Sequence, residues 1–375
     1  MNFSNDHNSE SKVFKNTTVP KEFSDQLRKT SLLSIFMIIG IHSYNLTYLD
    51  ATASPAISSW TQWIQEWISN WLFRIGTPTF MVISGYLFFW SFLPTLQSYK
   101  SKLVKRVRNL AIPFLLWSSL GMAGYSILQS FHATRSFFSQ PYLYELSWKE
   151  LIHVWIMDPI PYQIWFLRDL IVMCLVSPAI YMLLKSRFAL LFLGAGFSIW
   201  FFNLQEIGVN NKTSSFYLLG AWLAIQRKGQ AFPDFRKRFQ SKHGLAWGMG
   251  LWIFLSMLGA TIRIKEGSVI EPLYKIQILC GMNVLWYGYV FWSQFLNFKW
   301  VEHVKVMTFF IFACHEPLTR FVCKGFLKLF PEENGWVLLV YILTMTISFT
   351  VCSLLGIILK RRLPGIYAPL SGWRF

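Results

Sequence analysis

The residues of this chain that could do chemistry stand where polar groups are expensive. His42 closes an apolar run, SLLSIFMIIGIHSYN (Ser31–Asn45), that holds no charged side chain. Arg74 enters FRIGTPTFMVISGYLFF (Phe73–Phe89), Arg168 and Asp169 interrupt PYQIWFLRDLIV (Pro161–Val172), and His315 and Glu316 sit in TFFIFACHEPL (Thr308–Leu318). Ionisable groups inside long apolar segments avoid lipid, face a polar interior and mark functional sites. An imidazole that exchanges a proton near neutral pH makes His42 a general base or proton carrier. The structural alternative is a hydrogen-bonded tie between helices.

Each remaining position also has two readings. Gly76, Pro78, Ser84 and Gly85 follow Arg74, so that helix either opens onto a polar cavity with Arg74 on its wall or packs closely through small residues. Adjacent residues on a helix do not face each other, so Arg168 and Asp169 each need a partner. Arg168 could grip a phosphate or carboxylate with two parallel hydrogen bonds or serve a structural ion pair. His315 and Glu316 line a polar interior or lie near a hydrated helix end. Lys102, Lys105, Arg106 and Arg108 precede the run Ile112–Trp117. They read as topological anchors or as a site for nucleotide phosphates.

These residues need apolar helices to hold them. Of 375 residues, 54% are hydrophobic and 14% charged, with 18 Trp and 35 Phe. A soluble domain carries about 25% charged residues, so the composition predicts an all-α polytopic membrane protein. A net charge of +17 would suggest nucleic acid in a soluble protein; here it follows the loops, and no nucleic-acid partner is expected. Apolar stretches near 31–49, 71–92, 110–130, 163–184, 188–203, 214–226, 245–262, 275–296, 306–322 and 336–359 predict about ten transmembrane helices. With both termini in the cytoplasm, most of the 35 Lys and Arg fall on that side, as the positive-inside rule requires. The first span would then carry His42 eleven residues in, about 16 Å deep. Residues 1–26 read as a disordered cytoplasmic tail, 27–360 as the membrane domain and 361–375 as a cytoplasmic C-terminal tail. Trp60, Trp63, Ile64 and Trp67 predict an amphipathic helix over 56–69 on the outer interface. Five scattered Cys imply neither a disulfide framework nor a metal site.

In order along the chain, several marks resemble the acyltransferase-3 family of bacterial membrane O-acyltransferases. They are His42-Ser43, the block from Arg74 to Leu87, the basic run into Ile112–Trp117, Trp165–Arg168, Phe216–Gly220 and His315. The resemblance implies transfer of an acyl group, commonly acetyl, from cytoplasmic acyl-CoA as co-substrate to a sugar hydroxyl of a surface polysaccharide or its precursor, with no tightly bound cofactor. It makes His42 the catalytic histidine and matches Arg74 and Arg168 to arginines of the family's motif blocks, so these three are the expected catalytic residues. On the residues themselves, the saccharide is expected at Arg28, Trp165, His315 and Glu316, and the acyl-CoA at the cytoplasmic mouth near Lys102, Lys105, Arg106 and Arg108. Membrane lipid and the polysaccharide-synthesis machinery are the other expected partners, and the cell membrane the expected location. Family members carry an Arg eleven positions before the histidine; this chain has Ser31 there, with Arg28 one turn earlier. The competing expectation is a non-enzymatic exporter of polysaccharide or glycolipid. An ion-coupled transporter is a third reading, but no pair of broken helices in inverted halves supports it.

Overall fold

The computed structural model describes residues 19–48, 59–135, 138, 140–204, 208–226, 242–266, 269–331 and 333–374. Residues 1–18 of the expected N-terminal tail and the basic loop 227–241 lie outside the described residues. Among those described, every regular element is a helix.

A helix that buries most of its circumference belongs at the centre of a bundle, and α1 (Lys21–His42) does so: Leu27, Thr30, Ser34, Ile35 and Ile39 are all buried. It ends at His42, where Ser43 turns the chain back by donating from N and Oγ to the Ile39 carbonyl. After it come α2 (Trp60–Phe89), which packs on it, and α3 (Leu96–Ser130). The shorter α4 (Trp148–Ile156), α5 (Trp165–Leu175), α6 (Ser177–Lys185), α7 (Ala189–Phe201) and α8 (Asn211–Gln226) follow. Then come α9 (Lys242–Glu266), α10 (Glu271–Tyr287), α11 (Thr308–Leu329), α12 (Asn334–Arg362) and a short α13 (Pro364–Leu370).

The tightest seam joins α2 to α8. A Cβ on Gly85 would lie 2.2 Å from the Tyr217 carbonyl oxygen, and one on Gly220 2.1 Å from that of Val82. The two backbones touch, which only glycine allows.

The expectation of about ten spans is corrected. Among the described residues four helices are long and apolar enough to cross a membrane, Trp60–Phe89, Leu96–Ser130, His243–Ile264 and Asn334–Arg362, or five if Tyr162–Leu175 and Ser177–Lys185, bent by 62°, count as one. The other apolar stretches do form helices, but each fails for a physical reason. With 13 residues α7 is too short, and α11 breaks at Glu316, whose backbone is extended (φ −106°, ψ 136°) ahead of Pro317. The start of α1 is charged, and it ends at His42 instead of running to 49. The expected interfacial helix is also corrected. From Ser59 onward it continues through a π segment (Glu66–Trp71) and a 3-10 turn (Leu72–Ile75) into the rest of α2. Its polar residues Thr61, Gln65, Glu66 and Ser69 are buried, while Trp63 and Trp67 donate to Thr261 and Ser256 of α9.

Candidate active site

Three elements converge on His42. The turn that follows it is tied down: Asn45 Nδ2 donates to the Val337 carbonyl at 2.8 Å. Two residues before His42, Ser69 Oγ donates to the Gly40 carbonyl at 3.1 Å and accepts from buried Tyr341 at 2.9 Å. The half-buried imidazole therefore sits at a fixed helix end, not on a free loop.

The second element is the break in α11. Pro317 has no N–H to give the Ala313 carbonyl. Gln163 Nε2 donates to Ala313 O at 3.2 Å, and His315 Nδ1 donates to Phe312 O at 2.6 Å. A carbonyl only accepts, so the His315 proton is on Nδ1 and Nε2 keeps its lone pair. That Nε2 is buried and has no hydrogen-bond partner. The His315 ring centroid lies 5.2 Å from that of His42. The kink thus presents a free base to the first histidine.

The third element is the turn Tyr162–Ile164 before α5. Tyr162 Oη lies 2.5 Å from His42 Nδ1 and 3.3 Å from Nε2, and a neutral phenol donates to the nearer lone pair. Tyr162 also takes the Arg320 guanidinium over its ring at 5.0 Å. Arg320 is in turn paired with buried Glu316 at 3.3 Å. The guanidinium groups of Arg74 and Arg320 are within electrostatic range of His42. Arg74 is held by Asn70, which donates to Glu66 at 2.8 Å; Glu66 in turn pairs with Arg263 at 3.0 Å.

Two cavities flank this cluster. One, of about 580 Å³, is lined by Tyr48, Tyr125, Gln129, Asp158, Tyr162, Arg320 and Lys324; His42 meets it through Tyr162. The other, of about 320 Å³, lies at the far end of α1 and includes Arg28, Ser31, Arg106, Lys305 and Arg374 on its wall. Ser31 is eleven residues from His42, about 16 Å along the helix. Between them stand the rings of Phe80, Phe166 and Phe312, with centroids 5.2–6.2 Å apart; Phe312 also packs on His315.

A comparison with known families decides the class: residues 32–356 match the family model described as "Acyltransferase domain". The chain belongs to the acyltransferase-3 family. Within that family it is similar to the succinoglycan biosynthesis protein ExoH of Rhizobium meliloti (strain 1021), 30% identical over 169 residues. That alignment covers 43% of this chain and 43% of ExoH, so the chain spans less than half the length of the relative it matches. No solved structure matches.

Of the residues singled out from the sequence, the fold brings together His42, His315 and Glu316, with Arg74 in range. It puts Arg28 and Arg106 on the second cavity. Arg168 lies apart: it donates to the Met157 carbonyl at 2.6 Å and to Asp169 at 3.3 Å, and Asp169 accepts from the Asn210 N–H. Trp165 packs on Phe166. Lys102 donates to the Phe88 carbonyl at 2.6 Å and to Ser91 at 3.1 Å, Lys105 is exposed, and Arg108 stacks on Trp373. Sequence reasoning missed Tyr162, Gln163, Arg320, Lys305 and Arg374. Only Arg320 carried a signal, its spacing of four from Glu316, which suits an ion pair on one helix face.

Proposed function

We propose that this protein is a membrane O-acyltransferase that moves an acyl group, acetyl in the simplest case, from acyl-CoA to a sugar hydroxyl of a polysaccharide or its precursor. Family membership supports acyl transfer, and the likeness to the succinoglycan biosynthesis protein ExoH supports a place in polysaccharide synthesis. The observation that carries the reading is the facing pair His42 and His315, with one imidazole lone pair unpartnered, set between a cavity of aromatic and polar groups and a cavity of cations.

In this reading the cationic end of α1 faces the cytoplasm, as the positive-inside rule expects, and the donor enters there. The saccharide enters the 580 Å³ cavity, where Tyr48, Tyr125 and Tyr162 offer flat apolar faces beside hydrogen-bonding edges. Its hydroxyl takes the place of Tyr162 at His42 Nδ1 and gives up its proton there. The alkoxide oxygen attacks the thioester carbonyl, the C–S bond breaks, and the proton passes from His42 to the leaving thiolate. His315 Nε2 accepts from His42 Nε2–H and steadies the imidazolium, while Arg74 and Arg320 favour the developing oxyanion. For the donor arm to reach His42, the rings of Phe80, Phe166 and Phe312 must swing aside. A slim arm needs only that. An exported polymer needs an open channel, and this aromatic packing supports the enzyme over the exporter.

The test uses full-length protein in membranes with labelled acetyl-CoA and a saccharide acceptor, followed by mass spectrometry of the glycan. The reading expects acetyl on the glycan with the natural protein and none with His42→Ala. Unchanged acetylation by the variant would overturn it.

A further inference from the structure

Among the described residues, no carboxylate on the wall of the 320 Å³ cavity neutralises the charges it holds. Arg28, Arg106 and Arg374 line it, and among the described residues none of the three has an ion-pair partner. Lys305, also on its wall, is already taken by Asp25 and Glu302. Like charges gathered without a counter-ion are costly unless an anion completes them.

Arg374 reaches the cavity through a built device. The chain leaves α12, forms α13 and hooks back under α3. Tyr367 is fully buried, its ring 5.4 Å from Phe310, and Trp117 Nε1 donates to the Leu370 carbonyl at 3.0 Å. Gly372 (φ +65°) and Trp373 (φ +53°) both adopt the left-handed region. A Cβ on Gly372 would lie 2.5 Å from the Asn109 carbonyl oxygen, so the reversal is pressed against α3. A bulky residue such as Trp373 holds that conformation only when its surroundings enforce it. Here Trp373 lies under the Arg108 guanidinium, 4.6 Å from ring centroid to Cζ. The consequence is to set Arg374 over the Phe309 ring at 4.1 Å. Burial and the Arg106 charge push the Arg374 guanidinium down to about 9, a cost that a bound anion relieves.

We propose that residues 364–374 are a hook that completes a phosphate-binding site, in which Arg374 joins Arg106 and Arg28 to hold a phosphorylated ligand in the 320 Å³ cavity. Arginine forks suit phosphate oxygens, and the apolar remainder of the wall, Phe80, Ile83, Leu87, Phe88 and Phe166, suits what such a phosphate is attached to. Two sources share this chemistry: the phosphates of coenzyme A and the headgroup of an anionic phospholipid. The first rests on the acyl-CoA reading above; the anion site itself does not.

The experiment titrates full-length protein in phosphatidylcholine nanodiscs with coenzyme A and with inorganic pyrophosphate. It also measures how much phosphatidylglycerol stays with the protein purified from mixed-lipid membranes. If the donor phosphates are the ligand, the natural protein binds both soluble probes. Arg374→Gln weakens both by roughly 10- to 100-fold, the worth of a hydrogen bond to a charged group, at unchanged melting temperature, and Arg374→Lys recovers part. If the source is lipid, neither soluble probe binds and retained phosphatidylglycerol falls in Arg374→Gln; that outcome keeps the anion site and removes the donor reading. Should Arg374→Gln lower the melting temperature, Arg28→Gln, which lies outside the hook, must show the same selective loss. Probe affinities and lipid retention that are indifferent to both substitutions would overturn the proposal.

Discussion

The two ends of α1 are built on opposite plans. At the histidine end most polar groups are committed: Tyr162 to His42, Gln163 to Ala313, Arg320 to Glu316, Asn45 to Val337. Among the buried acceptors left over are Gln163 Oε1, Asn45 Oδ1 and an imidazole lone pair, on His315 Nε2. At the other end three guanidinium groups share a cavity with no carboxylate on its wall among the described residues. The difference follows from what each end is asked to do. Proton transfer needs one base at a fixed distance and angle, so the groups around His42 are locked in place. Anion capture needs charge left unspent, so the cations there must not be satisfied by the protein itself.

A substitution that respects neither end gives the baseline. Gly220→Val drives a Cβ to 2.1 Å from the Val82 carbonyl oxygen, and the obstacle is backbone that cannot swing away. Overpacking of this kind costs about 3 kcal/mol or more. The expected outcome is loss of folded protein by size-exclusion chromatography and of function at both ends together. A Gly220→Val protein that melts like the natural one would break the claim that α2 and α8 meet backbone to backbone.

The ends separate with the next two substitutions. His42→Ala is expected to lower turnover by roughly 10²–10⁴-fold, the usual contribution of a positioned acid–base group. Folding and coenzyme A affinity should be untouched, as read by melting temperature and titration. His315→Ala removes the imidazole beside His42, with its free lone pair and the Nδ1–H that serves the Phe312 carbonyl. A fall in turnover of roughly 10- to 100-fold, the worth of a hydrogen bond to a charged group, with little change in either KM is the expected result. If His315→Ala raises the KM for the saccharide and leaves turnover alone, His315 belongs to acceptor binding and the proton-steadying role is lost.

Much of this contrast was legible before any coordinates. His42, Arg74, His315 and Glu316 stood out because polar residues inside apolar runs are rare, and they do gather. Arg28 and Arg106 were legible as basic residues, but their shared cavity was not, since α1 and α3 meet only in the folded bundle. Arg168 misled for a plain reason: a charge in an apolar run signals a partner, and a backbone carbonyl with the neighbouring Asp169 was partner enough. Tyr162 and Gln163 were invisible as chemistry because phenols and amides at helix starts are commonplace. Their importance comes from the break at Glu316, which frees the carbonyl that Gln163 serves. The same break explains part of the span count. A hydropathy window averages across Glu316 and Pro317, and across the 62° bend before Ser177, and counts a length of chain without seeing that the helix axis has turned. Arg374 carried no signal at all: its role depends on a reversal at Gly372 that sets it against Phe309, far from it in sequence.

The smallest expected effect is the most discriminating at the histidine end. Tyr162 is exposed to 37% on the wall of the larger cavity, and its hydroxyl holds the His42 lone pair at 2.5 Å. If it is a placeholder that the acceptor hydroxyl displaces, Tyr162→Phe gives up one neutral hydrogen bond in the free protein. Such a bond is worth about 1 kcal/mol net, so turnover should change by less than about tenfold, with a lower KM for the saccharide because nothing has to be displaced. If the phenol instead relays the proton from the sugar to His42, removing it interrupts the path, and Tyr162→Phe should be as inactive as His42→Ala. Steady-state kinetics of the two variants side by side separates the cases. The pair of KM and turnover then says whether His42 touches the acceptor or acts on it through the ring in front of it.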